Sequence, residues 1–180
     1  MLEIEKRGFL TEEKYNSLLD YFKKNSQFLG ADDKYVVYYI YKDKLLKAVN
    51  NISKRNAKIS LKMNKIGEGS VFPETEVKFS KNDYEKIKFI LDTVTNPEKV
   101  MKGIQKRKNF IYKECEFAIK WSEEWGYHFE MEIIVNSEKE VQRAEDKLEE
   151  LSKELNIKTL TEAELKDFTK KAEENATNKS

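Results

Sequence analysis

LEIEKRGF, residues 2–9, places Glu3, Glu5 and Arg7 at every second position, with Leu2 and Ile4 between them. In an extended strand alternate side chains leave opposite faces, so one face of this segment is charged and the other apolar. The alternation recurs. In PETEVKF (73–79) Glu74, Glu76 and Lys78 oppose Thr75, Val77 and Phe79; in FEMEIIV (129–135) Glu130 and Glu132 oppose Phe129, Met131 and Ile133. Basic residues follow the same rule: Lys62 opposes Ile59, Leu61 and Met63, Lys106 and Lys108 share a face in IQKRKNF (104–110), and Lys47 lies between Leu46 and Ala48. A lone Glu-x-Glu describes no more than the wet outer face of an antiparallel sheet. A set spread over several strands says more. An antiparallel sheet closed into a barrel can turn its apolar face outward, under helices, and its charged face inward around a wet lumen. Carboxylates there suit hard divalent cations, and lysines and arginines suit phosphate oxygens.

Composition agrees with a globular chain of this kind. Its 180 residues suit one domain, and 34 Lys and Arg against 33 Asp and Glu leave a net charge of +1. That balance supplies no strong field toward nucleic acid or a membrane, so any anion site is local and no nucleic-acid partner is expected despite the short basic runs KRNAK and QKRK. The single Cys115 has no partner for an intrachain disulfide. Neither an apolar signal segment nor a run long enough to span a bilayer is present, and a cytoplasmic, membrane-free protein is expected.

Periodicity sets the order of elements. Thr11 caps a helix carrying Tyr15, Leu18, Leu19 and Phe22 on one stripe. Strands are expected at 35–41, 45–53, 58–64 and 73–79, with a flexible loop at GEGS (67–70), which lacks the following Lys and helix of a phosphate loop. A helix follows over 82–94, with Tyr84, Ile87, Leu91 and Val94 inward, and Pro97 stops it. Three more strands are expected at 103–109, 112–121 and 127–135. Ser137 with Glu140 and Thr161 with Glu164 make capping boxes for two final helices, the first bearing Val141, Ala144, Leu148, Leu151 and Leu155. The fold class is therefore α+β: an eight-stranded antiparallel barrel with helices outside, forming a single domain over 1–170 with a flexible tail over 171–180.

In this order the motifs resemble those of the CYTH superfamily, the triphosphate tunnel metalloenzymes. Glu3-x-Glu5-x-Arg7 is similar to the family's opening Glu-x-Glu-x-Lys, Lys62 in ISLKMN to its lysine after the fourth strand, and Glu74-x-Glu76 to its central acidic pair. Lys106-x-Lys108 resembles its Lys-x-Arg pair, and WGYHFEMEI its Gly-x-Phe-x-Glu-Ile-Glu ending. The resemblance implies a tunnel that binds a small-molecule triphosphate with Mg²⁺ or Mn²⁺. Glu3, Glu5, Glu74, Glu76, Glu130 and Glu132 would hold metal; Arg7, Lys47, Lys62, Lys106 and Lys108 would hold phosphate; and Glu3, Glu5 and Lys62 would carry the chemistry. Two departures stand out: Val49 replaces an arginine of the third strand, and Lys120 stands where the family has an acidic residue. Glu114 and Glu116 share the face parity of Lys120.

The family hosts metal-dependent triphosphatases and class IV adenylyl cyclases, and the first activity is expected ahead of the second because nothing in the chain specifically reads adenine. A polyphosphate-binding protein without turnover is the third alternative, and either a monomer or a homodimer is compatible. His128 shares the parity of Glu130, whereas Cys115 falls among Phe117, Ile119 and Trp121 and reads as packing. The Tyr35, Tyr38, Tyr39 and Tyr41 cluster reads as core in preference to a base-stacking platform.

Overall fold

The structure, a computed structural model, describes residues 2–63 and 74–177. The expected GEGS loop lies outside the described residues. Among the described residues nine strands form one antiparallel sheet: β1 (Leu2–Phe9), β2 (Gln27–Ala31), β3 (Lys34–Ile40), β4 (Lys44–Asn51), β5 (Asn56–Met63), β6 (Glu74–Phe79), β7 (Lys99–Tyr112), β8 (Cys115–Ser122) and β9 (Gly126–Val135). Their order is β1-β9-β8-β7-β3-β4-β5-β6, with β2 paired to β7 off this path. The α-helices among the described residues are α1 (Glu12–Asn25), α2 (Tyr84–Val94), α3 (Val141–Glu154) and α4 (Glu162–Thr177). The α+β class with an antiparallel sheet under outer helices is as expected. The short β2 is additional, and β7 is longer at both ends than the expected 103–109. None of the helices among the described residues is long and apolar enough to cross a membrane.

The chain divides into two compact units, one of residues 1–31 and 106–165, the other of residues 32–105 and 166–180. In the first unit, Thr11 accepts a hydrogen bond from the Lys14 amide and starts α1, whose Tyr15, Leu18, Leu19 and Phe22 are buried. They pack with Phe110 and Tyr112 of β7, Cys115, Phe117 and Ile119 of β8, Phe129 and Met131 of β9, Leu148 and Leu151 of α3, and Leu155 just after α3. Among the described residues Phe22 meets four rings, at centroid distances of 5.4 Å to Phe110, 4.9 Å to Phe117, 5.5 Å to Tyr112 and 5.9 Å to Tyr21. This apolar face takes one parity of every strand and leaves the other parity for polar groups. Cys115 belongs to the packed side, and burial pushes its thiol up to about 12, so it is an inert core residue.

The second unit repeats the arrangement on a smaller core of Val37, Tyr39, Ala48, Ala57 and Tyr84, joined by Tyr35, Tyr41, Ile59, Phe79 and Leu91. Tyr39 donates to Asp92 at 2.6 Å, tying β3 to α2. The aromatic cluster of β3 is therefore core, except Tyr38, which has the opposite parity and accepts from Gln105 at 2.7 Å. Val94, expected inward, is 71% exposed with Phe89 at 70%. Residues 81–83 form a short 3₁₀ turn ahead of α2, which starts at Tyr84, and Val94 is the last residue of α2, where the helix ends beyond the Leu91 contact.

Candidate functional site

In the first unit the polar parity of β1, β8 and β9 becomes one charged face through register. Glu5 lies opposite Glu132 and Arg7 opposite Glu130 in the β1–β9 ladder. Glu116 lies opposite Glu132, and Lys120 opposite His128, in the β8–β9 ladder. Antiparallel partners share a face, so the alternation in LEIEKRGF and FEMEIIV converges on the same surface.

The charges sort themselves along that surface. Glu130 is the anchor of its basic part: Lys120 Nζ donates to Oε1 at 2.7 Å, Arg107 Nη1 to Oε2 at 3.2 Å, and Arg7 Nε stands 3.4 Å from Oε1. Burial alone pushes the Glu130 carboxyl up, but Lys120, Arg7 and Arg107 together outweigh it and hold the group well below the usual carboxylate range. Lys120 is itself 7% exposed; burial lowers its affinity for a proton, Glu130 opposes that, and Arg107 adds to it. Arg7 also pairs with Glu5, with Nη2 donating to Oε2 at 3.0 Å. Arg107 is forked further, donating from Nε to Asn109 Oδ1 at 2.6 Å and standing 3.7 Å from Glu116.

The acidic part behaves oppositely. The Glu132 carboxyl is pushed up to about 7, first by burial and then by the negative charges of Glu3, Glu5 and Glu116. A proton or a cation relieves that crowding. Carboxylates of this kind are the donor chemistry of a hard divalent ion, so Glu3, Glu5, Glu116 and Glu132 fit Mg²⁺ or Mn²⁺ as a set. Among the described residues no three His, Cys, Asp or Glu side chains already stand close enough to hold an ion, so sharing one requires these side chains to converge. Both oxygens of Glu5 are engaged, among the described residues, by Arg7 alone, so Glu5 joins the set by releasing one cation, whereas Glu130, held among Lys120, Arg7 and Arg107, fits the same role less well.

His128 is buried beside this face at 4% exposure, its Nδ1 2.9 Å from the Gly126 carbonyl and its ring 5.5 Å from that of Trp125. Burial, and then the charge of Lys120, push it down to about 4, which keeps the imidazole neutral at pH 7.

Three other sequence-expected positions fall differently. Lys106 and Lys108 do share a parity, but it is that of Phe110 and Tyr112 on the apolar side, and Lys106 Nζ sits 5.4 Å over the Trp121 ring. The basic group of β7 brought to Glu130 is Arg107. Reading the strand onward through Phe110 and Tyr112 would have placed it, since these aromatics fix which parity is core. Glu114, expected on the face of Lys120, lies in the tight turn between β7 and β8 at φ 65° and pairs with Lys147 of α3 at 2.6 Å.

In the second unit Lys47 lies opposite Tyr38 and Ser60, and Lys62 opposite Leu45 and Glu74. Glu76 lies opposite Ser60 and forms an ion pair with Lys58. Lys47, Lys62, Glu74 and Glu76 thus share the non-core parity of their strands, together with Lys58 and Lys34, which the sequence reading did not single out. Val49 lies opposite Val36 on this parity, both buried, so an apolar block interrupts the polar face.

No protein-family model and no curated protein matches the sequence. Solved structures do match by fold. A Pyrococcus horikoshii protein aligns with a TM-score of 0.68 at 17% identity, over 87% of this chain and 92% of its own. A Vibrio parahaemolyticus protein described as a candidate adenylate cyclase aligns with a TM-score of 0.63 at 13% identity, over 91% of this chain and 92% of its own. A Hippeastrum protein, described as revealing a dominant triphosphatase activity, aligns with a TM-score of 0.63 at 16% identity, over 88% of this chain and 89% of its own. At such identities the likeness establishes the fold alone.

Proposed function

We propose that this protein is a divalent-metal-dependent phosphohydrolase acting on a triphosphate: inorganic, nucleoside or thiamine. The observation that carries the reading is the division of one sheet face into a crowded acidic part around Glu132 and a basic part of Arg7, Arg107 and Lys120 around Glu130. A metal-complexed polyphosphate presents both complements at once. The activity described for the Hippeastrum protein, whose fold this chain shares, supports a triphosphatase ahead of a cyclase.

Glu3, Glu5, Glu116 and Glu132 would hold the ion, which when bound acts as a Lewis acid on phosphate oxygens. Arg7, Arg107 and Lys120 would donate to the phosphate chain and stabilise the charge that develops as its terminal P–O bond breaks. A water oxygen attacks the terminal phosphorus in line, the bridging oxygen leaves with the remaining diphosphate, and orthophosphate is released. Lys47 and Lys62 are assigned to phosphate through the family resemblance, as are Glu74 and Glu76 to metal. Lys106 and Lys108, on the apolar parity, have a weaker claim than Arg107.

The test is incubation with tripolyphosphate, ATP and thiamine triphosphate, each with Mg²⁺ or Mn²⁺, followed by phosphorus NMR. Orthophosphate release is expected, and Glu5→Ala should abolish it by removing a metal donor and the partner of Arg7, while the melting temperature stays near that of the parent. Pyrophosphate with cyclic AMP from ATP would replace the hydrolase by a cyclase, and no product from any substrate would overturn both.

A further inference from the structure

We propose that Glu130 is not a metal ligand but the buried counter-ion that organises Arg7, Arg107 and Lys120 into a phosphate-binding triad, leaving cation binding to the neighbouring carboxylates. The inference rests on the proposed function for its ligand and deepens it by dividing the acidic residues into two roles. Three observations lead to it.

The first is saturation. Glu130 Oε1 is shared by Lys120 at 2.7 Å and Arg7 at 3.4 Å, and Oε2 is taken by Arg107 at 3.2 Å. A cation bound to Oε1 would displace Lys120 or Arg7, and one bound to Oε2 beside Arg107 would sit next to all three positive charges. The second is sign. At Glu130 itself three cations face one carboxylate, so a further cation there meets local repulsion, although Glu5 and Glu116 offset part of the charge of Arg7 and Arg107. The third is placement. Without Glu130, Arg7, Arg107 and Lys120 would repel one another and their heads would separate, whereas the carboxylate holds them within reach of a single group. Arg107 is fixed further by Asn109, and Arg7 by Glu5. Glu132, two residues along the same strand and face, lies opposite Glu5 in one ladder and Glu116 in the other.

The two roles predict opposite signs on binding. Titrations of tripolyphosphate in EDTA, and of Mn²⁺ by electron paramagnetic resonance without phosphate, would be run on the parent protein, Glu130→Gln and Glu132→Gln. Glu130→Gln should weaken metal-free tripolyphosphate binding about tenfold or more and leave Mn²⁺ affinity within about threefold, while Glu132→Gln should do the reverse. The inference is overturned if Glu130→Gln weakens Mn²⁺ binding about tenfold while metal-free tripolyphosphate binds more tightly, the change expected from deleting a negative charge at a metal ligand.

Because Glu130→Gln leaves buried cations unpaired and can fail to fold, a second variant, Glu130→Gln with Lys120→Met, keeps the charge balance. It should also lose metal-free tripolyphosphate affinity with Mn²⁺ affinity kept; parental tripolyphosphate binding in it would overturn the triad. These readouts are of binding, so a parent protein that binds tripolyphosphate and releases no orthophosphate overturns the hydrolase alone. A parent that binds neither ligand overturns both.

Discussion

At the scale of single residues, His128 and Glu132 share a charged face yet are pushed in opposite senses, and their pH responses oppose. His128 is held at about 4 against an ordinary 6.5, so between these values the unfolded chain takes up a proton that the folded chain refuses, and stability rises with pH. Glu132 is held at about 7 against 4.5, so in that window the folded chain keeps a proton the unfolded chain has lost, and stability falls as pH rises. The buried His128 contributes on the order of 2–3 kcal/mol, while solvent around the half-open Glu132 screens its share to about 1 kcal/mol. Metal-free protein should therefore gain stability from pH 4.5 to 6.5, Glu132→Gln should steepen the gain, and His128→Asn should reverse it, as read by urea denaturation across that range. Adding Mn²⁺ should remove the Glu132 component, since a bound cation replaces the proton.

At the scale of elements, β1 is both the carrier of Glu3, Glu5 and Arg7 and an end of the sheet, and its outer edge is covered from within its own unit. The segment after α3 runs along it, with the Leu160 amide donating to the Arg7 carbonyl at 2.7 Å. Gly8 makes this passage possible: a Cβ there would stand 2.1 Å from the Lys158 carbonyl and 2.6 Å from the Phe129 ring. Gly8→Ala must push backbone and a buried ring apart. We expect a loss of about 1–3 kcal/mol in denaturant unfolding, with weaker tripolyphosphate binding because Arg7 is the neighbouring residue. Gly8→Ala with parental stability would mean that the strap is not held against β1. The elements themselves were largely legible, because caps and alternation are local signals: Thr11 starts α1, and Thr161 and Glu164 exchange the capping-box bonds at 2.8 and 3.2 Å that start α4. The start of α2 was not, since a 3₁₀ turn and an α-helix share the same local composition. Nor was β2, five residues with a register shift between Phe28 and Gly30 that interrupts any simple alternation.

At the scale of the whole molecule, binding is linked to stability. Tripolyphosphate at about a hundred times its Kd should stabilise the fold by about 2.7 kcal/mol and raise Tm by about 5–10 °C, with a larger shift when Mg²⁺ is present. No shift with either, by calorimetry, would remove the polyphosphate from the reading. What the sequence by itself determined is the two-faced character of the strands: a period of two forces Glu3, Glu5 and Arg7 onto one side and Ile4 onto the other, and Glu130 and Glu132 away from Phe129 and Met131, whatever the strands pair with. What only the tertiary structure decided is which charges meet. Register between β1, β8 and β9 set Lys120 opposite His128, within diagonal reach of Glu130, and left Glu132 among carboxylates, while the full length of β7 turned Arg107 toward Glu130 and Lys106 toward Trp121. Parity is a property of one strand and can be read locally; the sign of the field at a side chain is a sum over neighbours brought together from distant parts of the chain, and it exists only once they are paired.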